Sequence, residues 1–438
     1  MIYKIAALGL LTCGLLAACS RTVPTASAPQ ERFDRVVTVS IQAGDTPQSL
    51  AQAVGGQVLR WNADGCAAGD KTTCTALIGL NAPLGGQSLR ALGGRTVYSE
   101  PNRDVFSGGG SVTSTMNGKT SMWSGGKTSM WSGGKTSMWS GGQFSQIPEN
   151  TALWQKIRLE EAQALAPGLG RGVTVAVIDT GLDLQHPAFA GSLSDPSTWY
   201  DFYAADTNPQ EEGTLGTGGY GHGTNVAGIV LQVAPGAKIM PLRVLGPDGS
   251  GDVVMVAQAI LWAADHGASV INLSLGSEES SRIVQDAIET VTAKKVMVVS
   301  SAGNSNLNKI TYPAADARAE GSGAYNLSVG SVDLNDVKSS FSNYSSELEV
   351  MAPGEQVYAP APDGRMAAWS GTSMAAPMVS GSLALALGQQ LSPQNMTRQL
   401  TRRAADIYKV SGNKPYKDKL GEKGRLDLVE FLDHAGDN

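Results

Sequence analysis

The stretch GVTVAVIDTGLDLQHP, residues 172–187, decides the fold of this 438-residue chain. It begins with a run of small and β-branched apolar residues, which is typical of a strand buried on both faces, and Asp179 follows that run directly. An Asp at a strand end often only caps a turn, but in a parallel sheet it also lies at the edge where catalytic groups collect. The stretch therefore predicts a strand of a parallel sheet and one candidate functional residue.

Similar apolar runs recur along the chain and alternate with helical patterns. Strands are predicted in KIMPLRVL, SVINLSLG, KVMVVSSAGN and LSVGSV, and helices in NVAGIVLQVA, VVMVAQAILWAADHG and RIVQDAIETVTAKK. This alternation predicts an α/β domain with a mainly parallel sheet that is covered by helices on both faces.

Three further segments carry polar residues at predicted strand ends or helix starts. His222 lies between two glycines in GYGHGTNVAG, Asn304 follows the strand in SSAGNSN, and Ser373 precedes small helical residues in SGTSMAAPMVSG. Glycines beside a His allow close backbone approach, and an Asn amide can donate into a cleft. A Ser at a helix start is either an N-cap or a nucleophile beside N–H groups that favour an oxyanion.

Together these segments resemble the subtilisin-like serine proteases, or subtilases. The resemblance covers the chain from about residue 154 onwards and depends on VAVIDTGLDLQHP, GHGTNVAG, VINLSLG, SSAGN, YPA, EVMAPG and GTSMAAPMVSG, in family order. It implies a subtilisin-like α/β fold and a serine endopeptidase with Asp179, His222 and Ser373 as its triad. It also implies an oxyanion hole formed by Asn304 and the backbone N–H of Ser373.

The same resemblance assigns residues to substrate binding. Ser274, Leu275 and Gly276 match a wall on which an extended peptide pairs as an added strand, and Thr311 matches the floor of the first specificity pocket. A small uncharged residue at that floor favours broad cleavage with a preference for apolar side chains. The expected partners are protein or peptide substrates.

Charge and composition limit other partners and cofactors. The formal net charge is −6 and the chain has no long basic run, so nucleic acid is not an expected partner. The loop that wraps calcium in many secreted subtilases is missing after the helix that follows Gly223, and no cofactor is expected. The paired acids Glu211 and Glu212 keep a weak calcium site as an alternative.

Residues 1–18 predict an export signal. Lys4 precedes an apolar run that is too short to cross a bilayer, and LAAC, ending at Cys19, resembles the bacterial lipoprotein box. The alternative is an ordinary signal peptide with a chance Cys. Residues 19–32 read as a Ser-, Thr-, Ala- and Pro-rich tether. We expect an exported protein of a bacterial cell envelope that is lipid-anchored at the outer membrane or cell surface. Release of the peptidase domain after processing is an alternative.

Residues 33–104 predict a small α+β unit with strands in RVVTVSIQA and GRTVYSEPN and a helix in QSLAQAVGG. Cys66 and Cys74 form a close pair, and in an exported protein this predicts a disulfide, with a half-complete metal site as the alternative. Given the resemblance, VYSEPN is similar to the last strand of a subtilase prosegment, which assists folding and inhibits the enzyme. A permanent accessory domain is the alternative.

Residues 105–148 separate this unit from the peptidase domain predicted for 149–438, and they contain the phrase KTSMWSGG three times. The preferred interpretation is a flexible Gly- and Ser-rich linker. Alternatively, each copy forms a short strand, and stacking buries Trp123, Trp131 and Trp139. A different class of function follows from that alternative, namely a non-catalytic surface binding or adhesion protein that uses the repeat.

Overall fold

The structure is a computed structural model, and it describes residues 32–63, 66, 74–107, 129–131, 148–214, 218–317 and 324–436. Cys19 and most of the repeat lie outside these residues, including Trp123 and Trp139. The described residues form an N-terminal unit and a larger α/β unit.

The N-terminal unit combines a four-stranded antiparallel sheet with two helices, as the predicted α+β class requires. Its elements are β1 (Arg35–Ser40), α1 (Pro47–Val54), β2 (Gln57–Asn62), β3 (Thr75–Leu80), α2 (Gly86–Ala91) and β4 (Val97–Pro101). The strand order is β2-β3-β1-β4, and Val37 and Val39 of β1 are buried with Leu50 of α1. A disulfide joins Cys66 to Cys74.

Two strands follow this unit in the sequence. They are β5 (Asp104–Ser107) and β6 (Ser129–Trp131). The linker was expected to begin at residue 105, whereas the chain stays in a strand through Ser107 because its backbone pairs with strands of the α/β unit. β6 belongs to the second copy of the repeat.

The α/β unit contains the predicted strands and helices. Its strands are β7 (Thr174–Asp179), β8 (Tyr200–Asp201), β9 (Lys238–Arg243), β10 (Ser250–Asp252), β11 (Val270–Leu273), β12 (Leu275–Gly276), β13 (Met297–Ser301), β14 (Asn326–Val332), β15 (Val350–Pro353), β16 (Val357–Ala361), β17 (Arg365–Trp369), β18 (Ala405–Asp406) and β19 (Gly424–Arg425). Its helices are α3 (Thr151–Lys156), α4 (Leu159–Leu165), α5 (His222–Val233), α6 (Val253–Asp265), α7 (Arg282–Ala293), α8 (Thr372–Leu387), α9 (Met396–Arg402) and α10 (Leu428–His434). β17 is the middle strand of a separate three-stranded sheet and pairs with both β16 and β6 in antiparallel fashion.

The central sheet has the order β18-β19-β15-β14-β13-β11-β7-β9-β8. Every neighbouring pair is parallel except β18 and β19. β7 shows why its sequence is apolar throughout. Val175 and Val177 are buried in the cluster that contains α5 and α8, whereas Ala176 and Ile178 are buried in the cluster that contains α6 and α7. Both faces of the sheet are therefore covered, which confirms the predicted α/β class.

The parallel register brings the candidate residues to one edge. β11 lies between β7 and β13, with Val270 opposite both Val175 and Met297. Asp179 ends β7, and Ser274 and Asn304 follow β11 and β13. Because parallel neighbours end at the same side of a sheet, these three residues share its carboxyl edge.

Candidate active site

Asp179 and His222 form a buried pair at this edge. Nδ1 of His222 lies 2.6 Å from Oδ1 of Asp179, and the side chains are 1% and 0% exposed. A carboxylate only accepts hydrogen bonds, so this contact puts the imidazole hydrogen on Nδ1 and makes Nε2 the acceptor in the neutral ring. Asp179 Oδ1 also accepts the N–H of Thr180 at 2.8 Å, which fixes the carboxylate from a second side.

The glycines around His222 are required by local geometry. Gly221 precedes α5 with φ of 95°, in the left-handed region that favours glycine. A Cβ on Gly223 would lie 2.1 Å from the carbonyl oxygen of Gly181, so a side chain there would push α5 away from the end of β7. The two glycines let the helix approach closely enough for His222 to reach the carboxylate.

Ser373 is the second residue of α8, and Gly371 occupies the N-cap position. Of the two sequence interpretations, the one that made Ser373 an N-cap is therefore wrong. The Ser373 hydroxyl donates to the carbonyl oxygen of Ser274 at 3.3 Å, and the Ser274 hydroxyl donates to the carbonyl oxygen of Ser373 at 2.9 Å. Nε2 of His222 has no hydrogen-bond partner among the described residues.

Asn304 is oriented by the residue that precedes Ser373. Its Oδ1 accepts the N–H of Thr372 at 2.8 Å and the Thr372 hydroxyl at 3.0 Å. These contacts fix the amide at the start of α8, and its Nδ2 would lie 3.3 Å from a Cβ built on Gly371.

Asn343 holds the loop that carries Asn304, and the sequence analysis did not identify it. Its Oδ1 accepts the N–H groups of Ser305 and Leu307 at 3.0 Å, and its Nδ2 donates to the carbonyl oxygen of Ala302 at 3.1 Å. No local pattern marks this Asn, because its partners lie more than thirty residues away in the sequence.

The predicted substrate wall is occupied by the chain itself. β5 lies between β10 and β12 in a three-stranded antiparallel sheet. Phe106 is opposite Ser250 on one side and Gly276 on the other, and Ser107 is opposite Leu275. The wall thus accepts an extended segment by backbone pairing, which is the binding mode expected for a peptide.

Two features shape the side-chain pockets along this wall. Val105 of β5 is 3% exposed, and it is buried in a cluster of apolar side chains. These side chains belong to Val253, Val256, Leu275 and Val284. Thr311 is buried and donates its hydroxyl to the carbonyl oxygen of Ser301 at 3.3 Å, and a Cβ on Gly276 would lie 2.7 Å from that hydroxyl oxygen. Thr311 therefore lies directly behind Gly276 of the wall.

Glu211 and Glu212 do not combine into a cation site. Glu212 pairs with the buried guanidinium of Arg243 at 3.1 Å, which also contacts Asp201 at 3.0 Å. Glu211 accepts hydrogen bonds from Thr180 and other groups in a separate environment. Across the described ranges, no group of three or more His, Cys, Asp or Glu side chains is arranged to hold a metal ion.

Comparisons with known proteins show the family to which the chain is related. Residues 170–428 match the sequence model described as the Subtilase family. Thermitase of Thermoactinomyces vulgaris is 38% identical over 290 residues, which cover 64% of this chain and 95% of the relative. Subtilisin Savinase of Lederbergia lenta is 38% identical over 244 residues, covering 53% of this chain and 82% of the relative. Alkaline elastase YaB of Bacillus sp. (strain YaB) is 35% identical over 249 residues, covering 54% and 60%.

Proposed function

The chain belongs to the subtilase family of serine endopeptidases, and from that premise we propose that it hydrolyses peptide bonds through Asp179, His222 and Ser373. The observation that carries the proposal is the 2.6 Å contact between Asp179 and His222, at the sheet edge where Ser373 is hydrogen-bonded to Ser274. A hydroxyl, an imidazole and a carboxylate at such an edge suit nucleophilic acyl transfer.

In the proposed reaction, the Ser373 hydroxyl turns from Ser274 towards Nε2 of His222, gives its proton to that nitrogen and attacks the substrate carbonyl carbon. Nε2 then passes the proton to the leaving amine, the peptide C–N bond breaks, and an ester links Ser373 to the acyl part of the substrate. Water, deprotonated by His222, hydrolyses that ester and restores the hydroxyl. Asp179 stabilises the imidazolium and keeps Nδ1 as the donor.

Asn304 and the N–H of Ser373 are the proposed donors to the oxyanion. The contacts of Asn304 Oδ1 with Thr372 support this role, because they hold the amide beside the start of α8, where the N–H of Ser373 also lies. A donor of this kind stabilises the transition state by about 3 kcal/mol, a magnitude measured in a member of this family.

We further propose that residues 33–107 are a prosegment that inhibits the enzyme in the precursor. β5 pairs along Leu275 and Gly276, where a substrate would bind. Glu100 of β4 supports the same interpretation, since its buried carboxylate accepts the Ser281 hydroxyl at 2.6 Å and the N–H groups of Arg282 and Ile283 at 2.9 and 3.2 Å.

These contacts put an anion at the N-terminus of α7. A carboxylate there satisfies orphan N–H groups and interacts favourably with the helix dipole, which typically contributes about 1 kcal/mol. Glu100 thereby attaches the prosegment to the peptidase domain beside the wall.

Self-processing is proposed to cut within the glycine run at 108–110. β5 ends at Ser107, which pairs with Leu275 next to Ser274, the residue bonded to Ser373, and the glycine run follows Ser107 directly in the sequence. The proposed organisation is then a signal at 1–18, a tether at 19–32, the prosegment, a linker with the repeats up to 148, and the peptidase domain.

The test of the function is hydrolysis of a peptide library by the purified chain. We expect broad cleavage, with an apolar side chain favoured at the fourth residue before the cut, because Val105 is that residue for a cut after 108 and it is buried among apolar side chains. Mass spectrometry of the products identifies each cut. The absence of hydrolysis would contradict the function, and strict selection of Arg or Lys would contradict the proposed specificity.

Export and lipid attachment at Cys19 are proposed from the signal and the secreted character of subtilases. Among the described residues, the structure contains no helix long and apolar enough to cross a membrane. Cys19→Ser is expected to move the protein from the membrane pellet to the soluble fraction, since two or three acyl chains give stable anchoring. Cys13→Ser is the matched control, because Cys13 leaves with the signal. Equal membrane fractions for the two variants would refute the anchor.

No cofactor is part of the proposed reaction, since each proton transfer is assigned to a side chain. The adhesion alternative is not favoured by membership of a peptidase family.

A further inference from the structure

Glu211 is a buried acid beside the triad that the proposed reaction does not use. Its side chain is 3% exposed. One carboxyl oxygen accepts the hydroxyl of Thr180 and the N–H of Gly221, the latter at 2.7 Å. The other accepts the hydroxyl of Thr224 and its N–H, the latter at 3.1 Å. One carboxyl group therefore connects the end of β7 to the first turn of α5.

The two threonine hydroxyls determine the direction of these hydrogen bonds. Oγ1 of Thr180 accepts the N–H of Gly223 at 2.9 Å, and Oγ1 of Thr224 accepts the N–H of Asp183 at 2.8 Å. Each hydroxyl donates its own hydrogen to Glu211. Four donors thus face one carboxyl group, and this suits the ionised form, which only accepts.

We propose that Glu211 is a positioning residue whose carboxylate holds Asp179 and His222 in the geometry that proton transfer requires. Thr180 provides the link, because its N–H donates to the same Asp179 oxygen that contacts His222. A misplacement of about 1 Å in a catalytic pair costs on the order of 10²-fold in rate. The proposal rests on the proposed function, since it concerns the rate of that reaction.

Glu211 also has a predicted effect on the pH profile. Asp179 and Tyr220 interact electrostatically with Glu211. His222 lies beyond Asp179, Asp183 and Asp363 lie near Tyr220, and Arg243 lies beyond Glu212. Burial, together with the charge of Asp179, raises the pKa of Glu211 to about 7, against the hydrogen bonds from Thr180 and Thr224. Below about pH 7 the protonated acid can no longer accept from four donors. Activity should then require ionised Glu211, so protonation of Glu211 should add one proton to the slope with which kcat falls on the acid side.

The experiment compares Glu211→Gln with Glu212→Gln in the full processed chain, with rates divided by the concentration of sites titrated by a serine-directed phosphonate. Glu211→Gln is expected to lower kcat at least about ten-fold with KM within about two-fold, because the wall is untouched. The acid limb of its kcat profile should be less steep than that of the wild type by one proton. Glu212→Gln should keep the wild-type kcat and slope, since its partner is Arg243.

A second pair of variants, at Thr180, keeps the inference testable if Glu211→Gln folds poorly. Thr180→Val removes the hydroxyl at nearly constant shape and should lower kcat in the same way, whereas Thr180→Ser restores a hydroxyl and should recover most of the loss. A lower melting temperature with unchanged kcat and slope would mean a purely structural role and would overturn the inference. An inactive wild type would overturn the proposed function as well. An active wild type with an unaffected Glu211→Gln variant would overturn only the role of Glu211.

Discussion

Ser373→Ala is expected to leave the purified precursor uncut, whereas the wild type loses an N-terminal fragment that ends within 108–110. The substitution removes the proposed nucleophile and leaves the helix intact, because Ala is an excellent helix former. Peptidase activity should fall by at least about 10⁴-fold. Intact-mass analysis of both proteins, each prepared without residues 1–18, checks the prediction.

The matched control is Ser370→Ala, which removes a hydroxyl three residues earlier. That hydroxyl accepts the N–H of Gln356 at 2.8 Å and is expected to have no part in the chemistry. The control should be cut as the wild type is. Cutting of the Ser373→Ala variant at the same bond would refute self-processing by this nucleophile.

Asp179→Asn is expected to lower kcat by about 10⁴-fold with little change in KM. The amide can still accept from Thr180, but it lacks the charge that stabilises the imidazolium, and it no longer selects the tautomer in which Nε2 is the base. Steady-state kinetics with a peptide found in the library checks this. Asp183→Asn is the matched control, since Asp183 accepts the N–H of Asp363 and does not contact His222.

The kcat of Asn304→Ala, measured in the same assay, can be compared with that of Asp179→Asn. Loss of one oxyanion donor should lower kcat by about 10²–10³-fold without affecting KM, because the donor acts only in the transition state. Asp179→Asn should therefore be the more damaging change. If Asp179→Asn and the wild type had equal kcat, the proposed catalytic role of Asp179 and His222 would be refuted.

The tertiary contacts explain why part of the site was predictable. Asp179 and Asn304 follow apolar runs, and parallel strands end at a common edge, so the sequence alone predicted where the chemistry collects. The glycines beside His222 are also a local signal, because the close approach of Gly223 to Gly181 excludes any side chain.

Other parts could not be predicted from local patterns. Glu211 reads as half of an acidic pair, and its role became visible only when the fold brought Thr180 and Thr224 to its two oxygens. The orientation of Asn304 depends likewise on Thr372, which lies 68 residues away.

The sequence by itself determined the α/β class, the order of strands and helices, the four candidate catalytic positions and the Cys66–Cys74 pairing. The class and the order of elements follow from periodicity, which acts over short distances in the chain. The catalytic roles follow from the resemblance to subtilases, and the cysteine pairing follows from the expected export. Only the tertiary structure decided that β5 continues through Ser107 and lies in the substrate wall. Its partner strands, β10 and β12, begin at Ser250 and Leu275. The hydrogen bonds of an added strand are made by backbone groups, which nearly every residue carries. The side-chain pattern therefore does not predict where such a strand pairs.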